Sequence, residues 1–193
     1  TIDDLKWLKE SGIAEEIIRR ARTETIIFGI CGGFQILGNK VKDPYHIEGD
    51  IEELNALGLL DLETIMENEK TLVQYNGKLA VDNGLLKILN NFEIKGYEIH
   101  QGITKGNEKN LTTDDRTIFV NRDNIIATYL HGIFDNKHFT DLLLNEIRKR
   151  KGLEEVNNNI SYEEYKIKEF DKLEKLVREN VDIDSIYKIM GLK

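Results

Sequence analysis

The chain has 193 residues, of which 40% are hydrophobic and 32% are charged, and its formal net charge is −8. This length predicts one domain with room for an appendage, and the acidic balance argues against a nucleic-acid-binding protein. We therefore expect no nucleic acid as a partner. No apolar stretch is long enough to cross a bilayer, so we expect no membrane as a partner either. The single cysteine permits no intrachain disulfide, which fits a reducing compartment and predicts a cytoplasmic protein.

Helix-like and strand-like segments alternate at the start of the chain. Apolar residues at helical spacing over 5–21 predict one bent helix or two short ones. A strand over 25–30 and a helix over 34–37 follow, and Gly38 is placed to end that helix. The stretch 41–60 is predicted to be a loop, and long loops in compact domains are often functional.

Five strand-like segments fill the middle of the chain, at 71–75, 78–81, 92–100, 117–120 and 125–130. The last two of them are predicted to form a hairpin. After them, Asp135 or Asn136 is expected to cap a helix. A final helix is expected to begin at Ser161, because Glu164 follows at the spacing of a capping box.

These elements predict how the chain is organised. Helices at both ends with strands between them indicate an α/β protein with a parallel-sheet core, and the hairpins add an antiparallel section. The asparagine run at 157–159 is typical of a linker. We therefore predict a main domain over 1–156 and a C-terminal helical appendage over 157–193.

The most informative motif is Gly29-Ile30-Cys31-Gly32-Gly33, between the first strand and the helix after it. A Gly-x-Cys-x-Gly sequence in this setting is typical of a nucleophile elbow, in which a sharp turn exposes the side chain. Glycines are expected because a Cβ would clash where the helix approaches the strand. The helix N-terminus is expected to lower the pKa of the Cys31 thiol, and the following N–H groups to face an oxyanion. The alternative is a cysteine that packs as a small hydrophobic residue.

A cysteine nucleophile needs a base, which is usually histidine. His131 is the best candidate, because it ends the strand over 125–130 just as Cys31 ends the strand over 25–30. Ligands of open α/β sheets bind at the carboxyl ends of the strands. If these two strands are neighbours, the thiol and the imidazole come within hydrogen-bonding reach of each other.

The other three histidines are weaker candidates. His100 ends the strand over 92–100, and either a substrate-binding rim or a plain strand-to-loop transition explains it. His46 lies in the long loop, but its spacing from acidic residues matches no known ligand set, so we predict no metal site. His138 is expected to be structural.

The motifs together resemble a known family. The segment Gly29–Gln35 resembles the nucleophile motif of class I glutamine amidotransferases, and Tyr129–Asp135 resembles the histidine motif of the cobyric acid synthase and cobyrinate diamide synthase branch. Further segments resemble the cobyric acid synthase family, and the resemblance covers nearly the whole chain: 43–64, 96–102 and 169–178. It implies a flavodoxin-like core, with a mostly parallel sheet and helices on both faces.

The resemblance also implies a chemistry. Cys31 would attack the side-chain amide of glutamine, and His131 would protonate the departing ammonia and then activate water. Gly32 would contribute to the oxyanion hole, while Gln35 and His100 would bind substrate. The ammonia would pass to a synthetase domain, which would use ATP and Mg²⁺ to amidate the side-chain carboxylates of a corrinoid in cobalamin biosynthesis.

Two departures from the wider family matter. Many class I amidotransferases carry a glutamate two residues after the histidine, where this chain has Ile133. The cobyric acid synthase branch also lacks it, which leaves Glu98 as a guess for the residue that orients His131. The synthetase domain and the first strands of the core are also not found in the sequence, so we expect an N-terminally truncated portion with weak activity alone.

Three other functions are compatible with the motifs. The first is a related amidotransferase that modifies a cell-wall precursor, and the corrinoid-type C-terminal segment argues against it. The second is a cysteine hydrolase on the same fold, against which Gln35 and the histidine motif argue. The third is a non-catalytic docking module in which Cys31 is structural.

Overall fold

The computed structural model describes residues 1–157 and 160–192. The chain divides into two compact units, Thr1–Glu155 and Val156–Lys193, each of which is treated by itself. Two of the predicted linker residues, Asn158 and Asn159, lie outside the described residues. The assignment of 1–156 as the amidotransferase domain and of 157–193 as the appendage stays a prediction.

The first unit is a mixed α/β structure. Its helices are α1 (Ile2–Glu10), α2 (Ile13–Ala21), α3 (Gly32–Leu37) and α4 (Lys137–Arg150). Its strands are β1 (Ile27–Ile30), β2 (Lys40–Lys42), β3 (Glu53–Asn55), β4 (Leu62–Lys78), β5 (Glu93–Gly106), β6 (Phe119–Arg122) and β7 (Ile125–Thr128). The described helices include none that is long and apolar enough to cross a membrane.

The strands form two small sheets. In the first, with the order β1-β7-β6, β1 pairs in parallel with β7, and β6 and β7 form an antiparallel hairpin. In the second, with the order β3-β2-β4-β5, only β2 and β4 pair in parallel. The prediction of an α/β protein with an antiparallel section is confirmed. A mostly parallel sheet is not what the described strands form, because the long antiparallel pair of β4 and β5 accounts for most of the pairing.

Local signals explain the helices near the N-terminus. Gly12 adopts φ 77° and separates α1 from α2, so the two short helices foreseen as one option are the ones that form. The helix after the cysteine, α3, ends at Gly38 as predicted, although this glycine is extended rather than left-handed. The predicted 117–120 and 125–130 hairpin is also present, with Asp123 at φ 53° in its turn.

The structure corrects the sequence predictions in three places. Of the strand expected at 78–81, only Lys78 belongs to a strand, and Leu79 forms an isolated bridge with Thr112. The expected loop over 41–60 contains β2 and β3, which are three residues each and too short to show periodicity. The strand expected at 71–75 is part of the much longer β4. Its register against β5 shifts between Ile65 and Lys70, and the polar residues around this irregularity conceal the strand in the sequence.

The core explains why these elements pack together. All four residues of β7 are buried, because this strand lies between β1 and β6 in its sheet. Phe139 of α4 packs against Phe119 of β6, with ring centroids 6.2 Å apart. On α3, Phe34 packs against Tyr129, just beyond β7, at 4.8 Å. The ends of β1 and β7 are therefore held in place by helices on which large aromatic side chains are buried.

The second unit consists of α5 (Tyr162–Asn180) and α6 (Ile183–Ile189). The capping box predicted at the start of α5 is present: the Ser161 hydroxyl accepts from the Glu164 N–H at 3.1 Å, and the Glu164 carboxylate accepts from the Ser161 N–H at 2.9 Å. This arrangement satisfies two N–H groups that a helix start otherwise leaves without partners. The short helix α6 was not predicted.

Candidate active site

Cys31 stands on a strained turn between β1 and α3. Its backbone has φ 54° and ψ −112°, in a region that residues other than glycine rarely occupy. Its N–H donates to the Thr128 carbonyl at 2.9 Å, which ties the turn to β7. Strain of this kind persists only where the surrounding structure imposes it, and it concentrates at functional sites. The geometry is that of a nucleophile elbow.

The glycines around Cys31 have different roles. A Cβ on Gly29 would lie 2.5 Å from Leu37 Cδ1 and 2.8 Å from the Gly33 carbonyl oxygen, so the strand and helix approach too closely for any side chain. At Gly32 the nearest atom would be Thr1 Oγ1, at 3.3 Å. Around Gly33 there is open space, so the expected clash is wrong for that position.

The surroundings of the Cys31 thiol favour its neutral form. Burial raises its pKa above the ordinary value, and the Gly32 N–H and nearby positive charge only partly oppose this effect. The Sγ atom lies 3.7 Å from the Ile99 carbonyl oxygen, to which the thiol donates. The expectation of a lowered pKa was therefore wrong, because α3 is short and desolvation outweighs its N-terminus. Such a thiol needs a base to become a nucleophile.

His131 lies next to the elbow in the fold. It follows β7, the strand that pairs in parallel with β1 and whose Thr128 is the partner of Ile30. The carboxyl ends of the two strands that carry Cys31 and His131 are thus adjacent, which meets the condition that the sequence left open. The His131 Nε2 atom is buried and has no hydrogen-bond partner among the described residues.

Strand β5 crosses both strand ends. The backbone of Tyr97 exchanges two hydrogen bonds with that of His131, at 2.8 and 3.1 Å. Two residues on, the Ile99 carbonyl contacts Cys31, and two residues further the Gln101 carbonyl accepts from the Gln35 side chain at 2.8 Å. Alternate residues of β5 therefore contact His131, Cys31 and Gln35 through backbone atoms.

His100 is held in the interior by a different set of groups. Its Nε2 lies 3.1 Å from Glu98 Oε2, and its ring stacks on Tyr129 with centroids 3.7 Å apart. The fully buried Glu98 carboxylate also accepts two hydrogen bonds from Arg116, at 2.8 and 3.1 Å. Glu98 is thus committed to His100 and Arg116, which argues against the guess that it orients His131. The Nδ1 atom of His100 is buried without a partner in the described chain.

Gln35 is also buried, and its amide is fully used. The Nε2 group donates to the Gln101 carbonyl at 2.8 Å and to the Tyr129 hydroxyl at 3.1 Å, and Oε1 accepts from the Thr1 hydroxyl at 3.0 Å. The Tyr129 hydroxyl is also bonded to Thr104 at 2.5 Å. Burial raises the pKa of Tyr129 to about 12, so this hydroxyl stays protonated. These contacts fit a side chain that holds α3 against β5.

Sequence reasoning missed the supporting residues. Arg116 gave no signal, and Tyr129 was noted only as the start of the histidine motif, because the roles of both depend on contacts between distant segments. Tyr97 lies inside the segment 96–102 that was singled out, and strand alternation alone could have separated it from Glu98. No group of three or more histidine, cysteine or acidic residues suited to a metal occurs in the described chain.

Comparison with known proteins gives the same indication as the site. Residues 1–139 match the model of the CobB/CobQ-like glutamine amidotransferase domain. The chain is 43% identical over 205 aligned residues to a cobyric acid synthase of Alkaliphilus metalliredigens, covering 98% of this chain and 41% of that protein. It is 39% identical to one of Caldanaerobacter subterraneus subsp. tengcongensis, covering 98% and 40%, and 38% identical to one of Clostridium botulinum, covering 100% and 40%.

The chain thus spans about 40% of the length of these curated relatives. A crystal structure of a glutamine amidotransferase is 14% identical, with a TM-score of 0.46 over 72% of this chain and 71% of that chain, and this likeness is too low to carry an argument. The family model covers the elbow, the histidine strand and β5. The resemblance noted in the sequence is confirmed, and the chain belongs to the CobB/CobQ-like glutamine amidotransferase domain family.

Proposed function

We propose that this chain is the glutamine-hydrolysing portion of a cobyric acid synthase, with Cys31 as nucleophile and His131 as base. The observation that carries the proposal is the pairing of β1 with β7, because it puts the elbow and the histidine at adjacent strand ends. Family membership supplies glutamine as the substrate. Similarity to cobyric acid synthases supports the wider reaction.

The proposed reaction begins with proton transfer. His131 takes the proton of the Cys31 thiol, and the thiolate attacks the side-chain amide carbon of glutamine. The Gly32 N–H stabilises the oxyanion that forms on the carbonyl oxygen. His131 then returns the proton to the departing nitrogen, which releases ammonia and leaves a glutamyl thioester. Water, deprotonated by His131, hydrolyses the thioester to glutamate and restores the thiol.

Gln35 and His100 are proposed to shape the glutamine site. Both side chains are buried and hydrogen-bonded. Gln35 joins α3 to β5 through the Gln101 carbonyl, whereas His100 bonds Glu98 within β5 and stacks on Tyr129. The unpartnered Nδ1 atom of His100 supports a polar role at this site. Gly32 contributes through its backbone, because it has no side chain.

The fate of the ammonia is the wider part of the proposal. In the full-length enzyme, ammonia is transferred to a synthetase domain, where ATP and Mg²⁺ activate side-chain carboxylates of a corrinoid, and amides form in cobalamin biosynthesis. The finer fold, a flavodoxin-like core, and a cytoplasmic location are proposed with it. The resemblance and the names of the cobyric acid synthase relatives support these statements.

Release of glutamate from glutamine by this chain tests the first part. We expect Cys31→Ser to abolish it and His131→Asn to lower it by about 10²–10⁴-fold, the usual contribution of a general acid–base residue. Glutamate release that survives Cys31→Ser would contradict the proposal.

For the second part, a protein of the relatives' full length is given ATP, Mg²⁺, a corrinoid acid and either glutamine or ammonium. The Cys31→Ser protein should amidate with ammonium but not with glutamine, and failure with both nitrogen sources in the unsubstituted protein would contradict it.

A further inference from the structure

The base of the proposed reaction lacks the usual means of orientation. A catalytic histidine is commonly held by a carboxylate that bonds its second ring nitrogen. Here Ile133 occupies the position two residues after His131, and Glu98 is committed to Arg116 and His100. In the described chain no carboxylate is hydrogen-bonded to His131, so its ring must be held by another contact.

Tyr97 makes that contact. Its ring lies almost parallel to the His131 imidazole, with centroids 5.2 Å apart and 15° between the planes. The backbones of the two residues form an isolated antiparallel bridge, with Tyr97 N–H to His131 O at 3.1 Å and His131 N–H to Tyr97 O at 2.8 Å. The bridge fixes the origin of both side chains, and the stack then restricts rotation of the imidazole.

The close approach depends on the preceding residue. A Cβ on Gly96 would lie 2.7 Å from the His131 carbonyl oxygen and 3.3 Å from the Leu130 Cβ. Any side chain at this position would push β5 away from the end of β7. The glycine therefore permits the bridge, and the bridge permits the stack.

We propose that Tyr97 is the positioning residue of His131 and holds the imidazole plane by stacking, in place of a carboxylate. This inference rests on the proposed function, since it assigns a role to a neighbour of the proposed base. The proposed role belongs to the ring, because 45% of Tyr97 is exposed and its hydroxyl makes no hydrogen bond to the described residues. A stacked ring orients an imidazole but provides no negative charge to stabilise the imidazolium form. Its effect on catalysis is therefore smaller than that of a triad carboxylate.

The test compares three variants of the 193-residue chain. Tyr97→Ala removes the stack, and Tyr97→Phe keeps it without the hydroxyl. The matched control is Gln74→Ala, because Gln74 is the exposed residue opposite Tyr97 on β4. For glutamine hydrolysis we expect Tyr97→Ala to lower kcat by about threefold to tenfold, the range of one aromatic pair, with KM changed less than twofold. Tyr97→Phe and Gln74→Ala should behave like the unsubstituted chain.

A second measurement does not need turnover. A stacked tyrosine ring shifts the imidazole proton signals of its neighbour upfield, and the His131 signals are assigned by their loss in His131→Asn. We expect this shift to vanish in Tyr97→Ala and to persist in Tyr97→Phe. Signals unchanged by Tyr97→Ala would overturn the inference, as would a kcat equal to that of the unsubstituted chain. A failed proposed function is seen separately, as glutamate release, or labelling of the chain by a glutamine analogue, that persists in Cys31→Ser.

Discussion

Removal of Arg116 should destabilise the first unit, because it leaves a buried charge without its main partner. The Glu98 carboxylate is fully buried. It accepts two hydrogen bonds from Arg116, and its Oε2 atom lies 3.1 Å from His100 Nε2. Removing one partner of a buried ion pair typically costs about 3–5 kcal/mol. The Arg116 side chain is itself 44% exposed, so solvent screens part of the interaction and we expect about 2–3 kcal/mol for Arg116→Met. For a chain of this size that lowers Tm by roughly 4–12 °C.

Urea unfolding followed by tryptophan fluorescence measures this loss directly. The only tryptophan, Trp7, lies on α1 and therefore reports on the first unit. The control is Arg20→Met, which removes an ion pair with Glu16 in which both side chains are largely exposed, and little change is expected. Adding Glu98→Gln to Arg116→Met should recover part of the stability, because the buried charge is removed. An Arg116→Met chain as stable as Arg20→Met would refute the reasoning.

Two further predictions concern the elbow. Gly29→Ala should lower the free energy of unfolding by about 1–3 kcal/mol in the same urea assay, because its Cβ would lie 2.5 Å from Leu37 Cδ1. Gly33→Ala places its Cβ in open space and should leave stability unchanged or slightly higher. Equal losses of stability in the two variants would contradict this difference. Alkylation of Cys31 by iodoacetamide should rise with pH to a midpoint above the ordinary cysteine value of about 8.5, because burial raises the pKa of its thiol and only the thiolate reacts. A midpoint below 8.5 would show that the helix N-terminus prevails over burial.

The elbow and the histidine strand could be predicted because their signals are local. Gly29 and Cys31 lie within three residues of each other, and the apolar strands before Cys31 and His131 are short and continuous. A general rule about strand ends in α/β sheets places both residues at carboxyl ends, but only the structure shows that the two strands are neighbours. The capping box at Ser161 is a four-residue signal, and it too was read correctly.

The support around the site could not be predicted, because it depends on contacts between distant segments. Gln35 meets the Tyr129 hydroxyl 94 residues further along the chain, and Arg116 meets Glu98 across 18 residues. The raised pKa of Cys31 depends on its burial beneath β5, which the motif does not encode. Likewise, β4 was underestimated because its register against β5 shifts between Ile65 and Lys70 and the residues around the shift are polar.

Intact-mass spectrometry after incubation with a glutamine-mimicking diazo-ketone tests the central claim most directly. The account predicts one adduct per chain, formed at Cys31 and absent from Cys31→Ser, because a glutamine site must surround the nucleophile for the reagent to react there. Circular dichroism confirms that both chains are folded, and excess glutamine should slow the labelling. The absence of an adduct on a folded chain, or an adduct that persists in Cys31→Ser, would contradict the assignment of Cys31 as the glutamine nucleophile.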